Sequence, residues 1–118
     1  MRNMSFSMTT DQIRAGTKTV TRRFGWWGLK PGDRVMACEK CMGLKKGEKV
    51  TKIRPIEIVS TRRERIDAIL NYGWAEGDAE MVREGFPGIS PFSLVEFLCE
   101  SAGKQADDPV NRIEFRYV

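Results

Sequence analysis

The sequence contains no histidine, and this absence excludes more chemistry than any other feature of its composition. Without an imidazole, the chain cannot build a Ser-His-Asp or Cys-His catalytic site, nor a catalytic zinc site with histidine ligands. Any catalysis must therefore use lysine, threonine, serine, carboxylate, cysteine or tyrosine side chains.

Long apolar runs are also missing. The longest uncharged stretch, residues 85–95, contains two prolines and two glycines and cannot form a transmembrane helix. The first residues show no apolar signal-peptide core. Three cysteines, an odd number, suit a reducing compartment better than a disulfide framework. We therefore expect a cytoplasmic protein that does not contact a membrane.

Two of the cysteines, Cys38 and Cys41, form a single CxxC motif. A structural zinc site needs four ligands, and only Cys99 is left to join them, so we expect no metal and no other cofactor. A redox pair is the alternative, but the motif lacks the thioredoxin-like βαβ context. Ordinary reduced thiols, on and after a strand, are the favoured interpretation.

The length of 118 residues allows one domain with one core. With 41% hydrophobic and 31% charged residues, the chain has the composition of a folded globular protein. Its 20 Lys+Arg against 16 Asp+Glu give a net charge of +4. Five of the basic residues lie between Arg14 and Lys30, where there is no carboxylate, so this segment favours an anionic ligand.

Hydrophobic periodicity divides the chain into short strands and helices. Strands are predicted at residues 5–8, with Phe6 and Met8 facing the core, and at 18–23, 34–38, 50–60 (bent at Pro55) and 111–118. Helices are predicted around Ile13, with a cap at Thr9 or Thr10 and an end at Gly16, and at 61–70, 78–84 and 93–101, the last capped by Ser93. A Pro-Gly turn is predicted at 29–33. Strands near both ends are expected to close one sheet or barrel, with the helices packed around it.

The segment Gly16 to Arg23 is the most informative for chemistry. In a strand, Thr19, Thr21 and Arg23 share one face, while Val20 and Arg22 share the other. Lys18 and Thr21 are three residues apart, so they converge only if Lys18 lies in a turn or bulge after Gly16. A desolvated lysine near Arg22 and Arg23 would have a lowered pKa and could act as a general base towards threonine. The alternative is a basic, threonine-rich exposed strand.

Several motifs, in this order, give the chain a resemblance to a known family. They are the Gly-x-Lys-Thr-x-Thr-x-Arg segment at 16–23, Lys30-Pro31-Gly32-Asp33, Glu84-Gly85-Phe86 and the closing Arg112-Ile113-Glu114-Phe115. With these motifs the chain resembles the ASCH domain, a small relative of the PUA fold. The resemblance implies a single domain over residues 1–118 with an α+β fold, a small PUA-like β-barrel with flanking helices. It also implies a basic cleft suited to RNA or a modified nucleoside.

One branch of this family looks like small amidohydrolases that remove the acetyl group from N(4)-acetylcytidine with a threonine, a lysine and a glutamate. The resemblance implies that Thr21 is the nucleophile, that Lys18 is its base, and that Glu84 positions the lysine or passes protons to the leaving cytosine amine. Backbone N–H groups or Arg23 would stabilise the oxyanion. Taken without Lys18 and Thr21, Glu84 would be a solvated helix-end carboxylate before a C-capping Gly85.

The candidate RNA- or substrate-binding residues are Arg22, Arg23, Trp26, Trp27 and Lys40. The two tryptophans lie in a glycine-flanked loop and form either a packing lid over the barrel end or a platform for base stacking. Packing of at least one of them is expected, because so large an apolar surface is usually buried. The basic run at 62–65 is either a solvated face or the far wall of an RNA cleft.

Three functions are compatible with these residues. The first is an RNA- or nucleoside-directed ASCH domain that deacetylates N(4)-acetylcytidine. The second is a non-catalytic RNA-binding module, and the third is a ribonuclease for single-stranded RNA with Lys18 as a charge stabiliser. The expected partner in each case is RNA or a modified nucleoside, and the sequence does not indicate an oligomeric state.

Overall fold

A computed structural model describes all 118 residues, and one mixed five-stranded sheet organises it. The elements follow in chain order: β1 (Arg2–Ser5), α1 (Thr10–Ala15), β2 (Val20–Arg23), β3 (Arg34–Cys38), β4 (Lys52–Arg65), a 3-10 helix (Ile66–Asn71), α2 (Trp74–Glu84), α3 (Pro91–Ala102) and β5 (Pro109–Tyr117). The strand order is β1-β3-β4-β5-β2. Only β1 and β3 are parallel, and the other neighbours are antiparallel.

The long strand β4 gives the sheet its curl. It pairs with β3 along its first half and with β5 from Ile56 to Arg65, so it turns from one side of the sheet to the other. The register shifts at Ile53 and at Val59, where bulges increase the local bend. Pro55 itself stays in register with Met36, so the bend predicted there lies on either side of it instead. The result is a curled half-barrel with flanking helices, the predicted α+β PUA-like fold.

Two apolar cores lie in different parts of the molecule. The first is formed within the curled sheet and against α1, from residues such as Met4, Phe6, Ile13, Ile56 and Phe115. The second is formed where the helices meet the far ends of β4 and β5, from residues that include Ile66, Met81, Leu98 and Val110. Helix α2 therefore lies between the helical core and the sheet edge that carries β2.

Three local predictions were wrong. Residues 61–65 continue β4 because they pair with β5, and the helical spacing begins only at Ile66, in the 3-10 helix. Met8 is 61% exposed, while β1 ends at Ser5 and Phe6 enters the core. Helix α3 is capped by Ser90, whose Oγ accepts a hydrogen bond from the Ser93 amide at 3.2 Å, and not by Ser93.

The glycine-dependent turns are confirmed. Gly16 ends α1 in the left-handed region with φ of +76°. Between Lys30 and Asp33, the Asp33 amide donates to the Lys30 carbonyl at 3.0 Å, and Gly32 has a φ of +92°, as a type II turn requires. None of the helices combines the length and the apolar character needed to cross a bilayer.

Candidate functional site

Strand β2 forms one edge of the sheet, and the segment before it is fixed on both sides. The Tyr117 hydroxyl donates to the Lys18 carbonyl at 2.5 Å. The Thr19 amide donates to the Arg83 carbonyl at 2.8 Å, and the Thr19 carbonyl accepts from Phe115. The backbone of Lys18 is therefore held between β5 and the end of α2, outside the regular strand.

The end of α2 brings a carboxylate to this segment. Gly85 ends the helix with φ of +92°, and a Cβ at this position would meet side-chain atoms of Thr9 and Gln12 at 3.3 Å. The Gln12 amide also donates to the Gly85 carbonyl at 3.0 Å. Because α1 packs so closely on this end, Glu84 is 3% exposed, so it is not a solvated helix-end carboxylate.

Lys18 and Glu84 form a buried ion pair. The Lys18 amine lies 3.2 Å from Glu84 Oε1 and also donates to the Glu84 backbone carbonyl, and it lies 5.6 Å from the centre of the Phe86 ring. Both side chains are less than 5% exposed. Burial lowers the pKa of Lys18, the Glu84 carboxylate opposes this, and the positive charges of Arg23 and Arg22 lower the pKa further.

Thr21 lies on the other face of β2, together with Arg23. Arg23 Nε donates to Thr21 Oγ1 at 3.0 Å, and Arg23 Nη2 donates to the Ser5 carbonyl at 2.6 Å. Burial lowers the pKa of Arg23 to about 10. The Thr21 hydroxyl is buried and accepts this one bond, while no group in the chain accepts its proton. Both side-chain bonds of Lys18 go to Glu84, so the amine does not hydrogen bond to Thr21.

Arg22 is buried among carboxylates. Its Nη1 lies 2.8 Å from Glu84 Oε2, and its Nη2 lies 2.8 Å from Glu80 Oε2 and 2.9 Å from Glu64 Oε1. Burial on its own would lower the pKa of Arg22, but Glu84, Glu80 and Glu64 together raise it above its usual value. Only Nε is left without a partner, so the guanidinium has little capacity for the ligand contact predicted from the sequence.

Four residues to which the sequence assigned no role in this site complete the network: Glu64, Tyr72, Glu80 and Arg112. Arg112 makes a bidentate pair with Glu80, at 2.6 and 2.9 Å, and faces Arg22 across the β2–β5 ladder. The spacing of Glu80 and Glu84 on one face of α2 was a usable signal. The position of Arg112 opposite Arg22 could not be predicted from the sequence, because it depends on the pairing of two strands that are far apart in sequence.

The two tryptophans have different surroundings. Trp26 is half-buried against the first core, and the Arg2 guanidinium lies 4.1 Å from its ring centre. The side-chain amide of Asn111 donates a hydrogen bond to the Trp26 carbonyl at 3.1 Å. Trp27 is 49% exposed, and the Arg63 guanidinium lies 5.1 Å from its ring centre. One tryptophan therefore packs, as expected, and the other faces solvent. Lys40 is exposed on the loop after β3.

Two surface depressions lie near α2, and neither is lined by Lys18, Thr21 or Glu84. One, of about 640 Å³, lies between α2 and α3 and is mostly apolar, with Trp74 and Phe92 at its rim. The other, of about 550 Å³, is polar and lies over Glu80 and Arg112.

No family model matches the sequence. No curated protein matches it either. Two solved structures resemble the fold. Protein EF3133 from Enterococcus faecalis V583, described with the family model DUF984, superposes with a TM-score of 0.67 and 11% identity, over 100% of this chain and 76% of that one. The ASCH domain from Lactobacillus crispatus JV V101 superposes with a TM-score of 0.60 and 17% identity, over 98% of this chain and 78% of that one. The chain therefore shares the fold of an ASCH domain.

Proposed function

We propose that the protein is an ASCH-type amidohydrolase that removes the acetyl group from N(4)-acetylcytidine. Thr21 is the nucleophile, Lys18 is the base, and Glu84 holds the lysine. The observation that carries this proposal is a buried Lys18–Glu84 pair beside the strand of a buried threonine whose hydroxyl proton has no acceptor in the chain. Such a proton is free to be taken by a base when substrate binds.

Lys18 must be neutral when it accepts that proton. Burial and the two neighbouring arginines favour the neutral amine, as its lowered pKa reflects. Glu84 favours the ammonium form, which Lys18 reaches after it has taken the proton. The pair is thus suited to a base that gains a proton in one step and returns it in the next. In the free protein the amine lies at Glu84, so substrate binding must bring it towards Thr21.

The reaction has two stages. First, Thr21 Oγ attacks the acetyl carbonyl carbon while its proton passes to Lys18, and the carbonyl electrons move onto the oxygen. When this intermediate collapses, the bond to cytosine N4 breaks, Lys18 returns the proton to the leaving amine, and an acetyl ester remains on Thr21. Water then attacks the ester with Lys18 again as base, the bond between the acetyl carbon and Thr21 Oγ breaks, and Lys18 returns the proton to Oγ. Acetic acid leaves and ionises to acetate in solution. Arg23, already a donor to Thr21 Oγ1, supplies positive charge beside the reacting atoms.

The direct test is to incubate the protein with N(4)-acetylcytidine and to measure cytidine and acetate by chromatography. Thr21→Ala and Lys18→Met are expected to lower kcat by at least about a hundredfold. Thr17→Ala, which changes an exposed threonine of the same segment, is the matched control and should keep wild-type activity. The proposal would be contradicted if the wild-type protein formed no cytidine, or if Thr21→Ala formed as much cytidine as the wild type.

A second candidate is RNA binding, which is favoured by aromatic rings paired with cations on the surface. Trp27 with Arg63 and Phe24 with Lys104 are two such pairs, at 5.1 and 5.9 Å. Stacking of one base on an aromatic ring contributes about 1–3 kcal/mol, and phosphate contacts make binding dependent on salt. These surface pairs supply both kinds of contact.

Fluorescence anisotropy with a labelled single-stranded RNA tests this candidate. Binding should weaken at higher salt, and Trp27→Ala should weaken it by about 5- to 150-fold. Trp74→Ala, which removes a tryptophan that is 91% exposed on α2, is the control and should bind like the wild type. An absence of binding at low salt, or an equal loss from both variants, contradicts RNA binding at Trp27, and shortened RNA after the assay would indicate cleavage instead.

Both candidates fit a cytoplasmic protein, which we also propose as its location. All three cysteines are free thiols, a state that a reducing compartment maintains. Recovery of the protein in the soluble cytosolic fraction of its cells would support this location, and recovery in a secreted or membrane fraction would contradict it.

A further inference from the structure

Tyr117, the last residue of β5, contacts the turn that carries Lys18. Its hydroxyl donates to the Lys18 carbonyl at 2.5 Å, although the two residues are 99 positions apart in the sequence. Its ring lies beside Gly16, where an added Cβ would meet a ring carbon at 3.9 Å. Tyr117 therefore contacts two residues of the turn between α1 and β2.

Two neighbours hold the ring of Tyr117 in place. Phe115, two residues earlier on β5, meets it edge-on with the ring centres 5.8 Å apart, and the Arg54 guanidinium lies 4.3 Å from its centre. Burial raises the pKa of Tyr117 to about 12, although the Arg54 charge opposes this. At neutral pH the hydroxyl is therefore protonated and remains a hydrogen-bond donor.

The Lys18 backbone depends on this hydroxyl for its position. The Lys18 carbonyl accepts no other hydrogen bond, and the Lys18 amide donates only a long one, at 3.4 Å, to a carbonyl of α1. The next residue, Thr19, is bonded at both its amide and its carbonyl. Tyr117 thus completes the attachment of Lys18, which lies outside the regular strand that begins at Val20.

We propose that Tyr117 is a positioning residue for the Lys18 amine: its hydroxyl fixes the backbone point from which that amine reaches Glu84 and Thr21. The effect on the Lys18–Glu84 pair follows from the contacts alone. The effect on catalysis rests on the proposed function, in which the amine leaves Glu84 and approaches Thr21. Because the side chain pivots on its own Cα, a shift of the turn changes both distances, and a misplacement of about 1 Å can lower a rate about a hundredfold.

Tyr117→Phe isolates the hydroxyl, because it keeps the ring and its packing and removes one oxygen. The first readout is the NMR resonance of the Lys18 Cε in protein that contains isotope-labelled lysine. This resonance is assigned by its absence from Lys18→Met and is followed against pH. In Tyr117→Phe the turn loosens and water reaches the amine, so the pKa of Lys18 should rise towards its ordinary value. An unchanged pKa overturns the proposal, whether or not the protein deacetylates a substrate.

Arg54→Met is the matched control for this measurement. It removes the cation beside the ring and leaves the bond from the Tyr117 hydroxyl to Lys18 in place, so the pKa of Lys18 should match that of the wild type. An equal rise in both variants would show that packing of the ring, and not the hydroxyl, positions the lysine, and it would overturn the proposal.

Kinetics with N(4)-acetylcytidine give the second readout. Tyr117→Phe should lower kcat about ten- to a hundredfold and change KM by less than about twofold, because a misplaced amine weakens the transition state and not the binding of substrate. Ser90→Ala, which removes the cap of α3, is the control for a general loss of stability and should keep the wild-type kcat.

The two readouts fail in different ways. If the wild type is active and Tyr117→Phe has the same kcat, the catalytic part of the proposal is overturned. If the wild type forms no cytidine, the proposed function is contradicted, while the pKa of Lys18 still decides whether Tyr117 positions the amine.

Discussion

Arg22 and Arg23 are adjacent in the sequence and have opposite environments. Arg22 contacts Glu64, Glu80 and Glu84, and these carboxylates raise its pKa above the usual value. Arg23 contacts no carboxylate, donates to a hydroxyl and a carbonyl, and burial lowers its pKa to about 10. The alternation of side chains in β2 is the whole cause, because it turns one arginine towards α2 and the other towards β1.

The difference separates a cation that is paired within the fold from one that, on the proposed function, is available to a ligand. The charge of Arg22 is neutralised more than once within the chain, so an anionic ligand gains little from it. Arg23 donates its hydrogen bonds only to neutral groups, and the Glu84 charge acts on it without a direct contact, so on the proposed function it can still attract a developing negative charge near Thr21. A basic motif in a sequence can therefore contain one arginine that is paired with carboxylates and another that donates only to neutral groups.

Replacing Arg22 should produce the largest change. In Arg22→Met, three buried or half-buried carboxylates lose a partner, and breaking such a pair costs about 3–5 kcal/mol. Urea unfolding followed by tryptophan fluorescence measures the loss. Arg34→Met, which removes an exposed arginine paired with Glu57, is the control and should change the free energy of unfolding by less than about 1 kcal/mol. Equal losses in the two variants would show that Arg22 is not structural.

Acid should cause the second-largest change, because it protonates a carboxylate that is paired with Arg22. Burial on its own would raise the pKa of Glu80, but Arg112 and Arg22 lower it from 4.5 to about 2. Because the folded-state pKa is the lower one, the stabilisation is complete above pH 4.5 and is lost as the pH falls towards 2. The loss amounts to about 3 kcal/mol. Unfolding measured across this range should show it in the wild type and in Glu76→Gln, but much less in Glu80→Gln.

Replacing Arg23 should have the smallest effect on stability. Arg23→Leu loses two hydrogen bonds to neutral groups, which together contribute about 1–3 kcal/mol, and relief of a buried charge offsets part of this. Deacetylation, in contrast, should fall by about a hundredfold if Arg23 stabilises the oxyanion. Unfolding and kinetics on the same preparation separate the two effects. A variant as unstable as Arg22→Met, yet fully active, would reverse the assignment of the two arginines.

The sequence was sufficient for the parts of the site that lie on one segment. Alternation over residues 19–23 predicted which side chains share a face, and a lowered pKa was predicted for Lys18 if it was desolvated near Arg22 and Arg23. Glu84 was assigned through a family resemblance, and it does contact Lys18. Whether these residues catalyse a reaction stays a prediction.

The rest depended on contacts between distant segments. Residues 61–65 carry no strand signal of their own, and pairing with β5 overrides the helical spacing that continues from Ile66. The pairing of Glu80 with Arg112 likewise requires α2 and β5 to be packed first. Such three-dimensional neighbours leave no local pattern, since neither segment contains information about the other.

The pairing of β2 also determines when this site can form during synthesis. Val20 pairs with Glu114 and Arg23 with Asn111, so the strand that carries Thr21 has its only sheet neighbour at the opposite end of the described chain. On the ribosome, β2 emerges early and has no strand to pair with until β5 has been synthesised. Nascent chains that stop before β5 therefore have neither the Arg22 network nor the Thr21 environment. The site can therefore form only after β5 has been made.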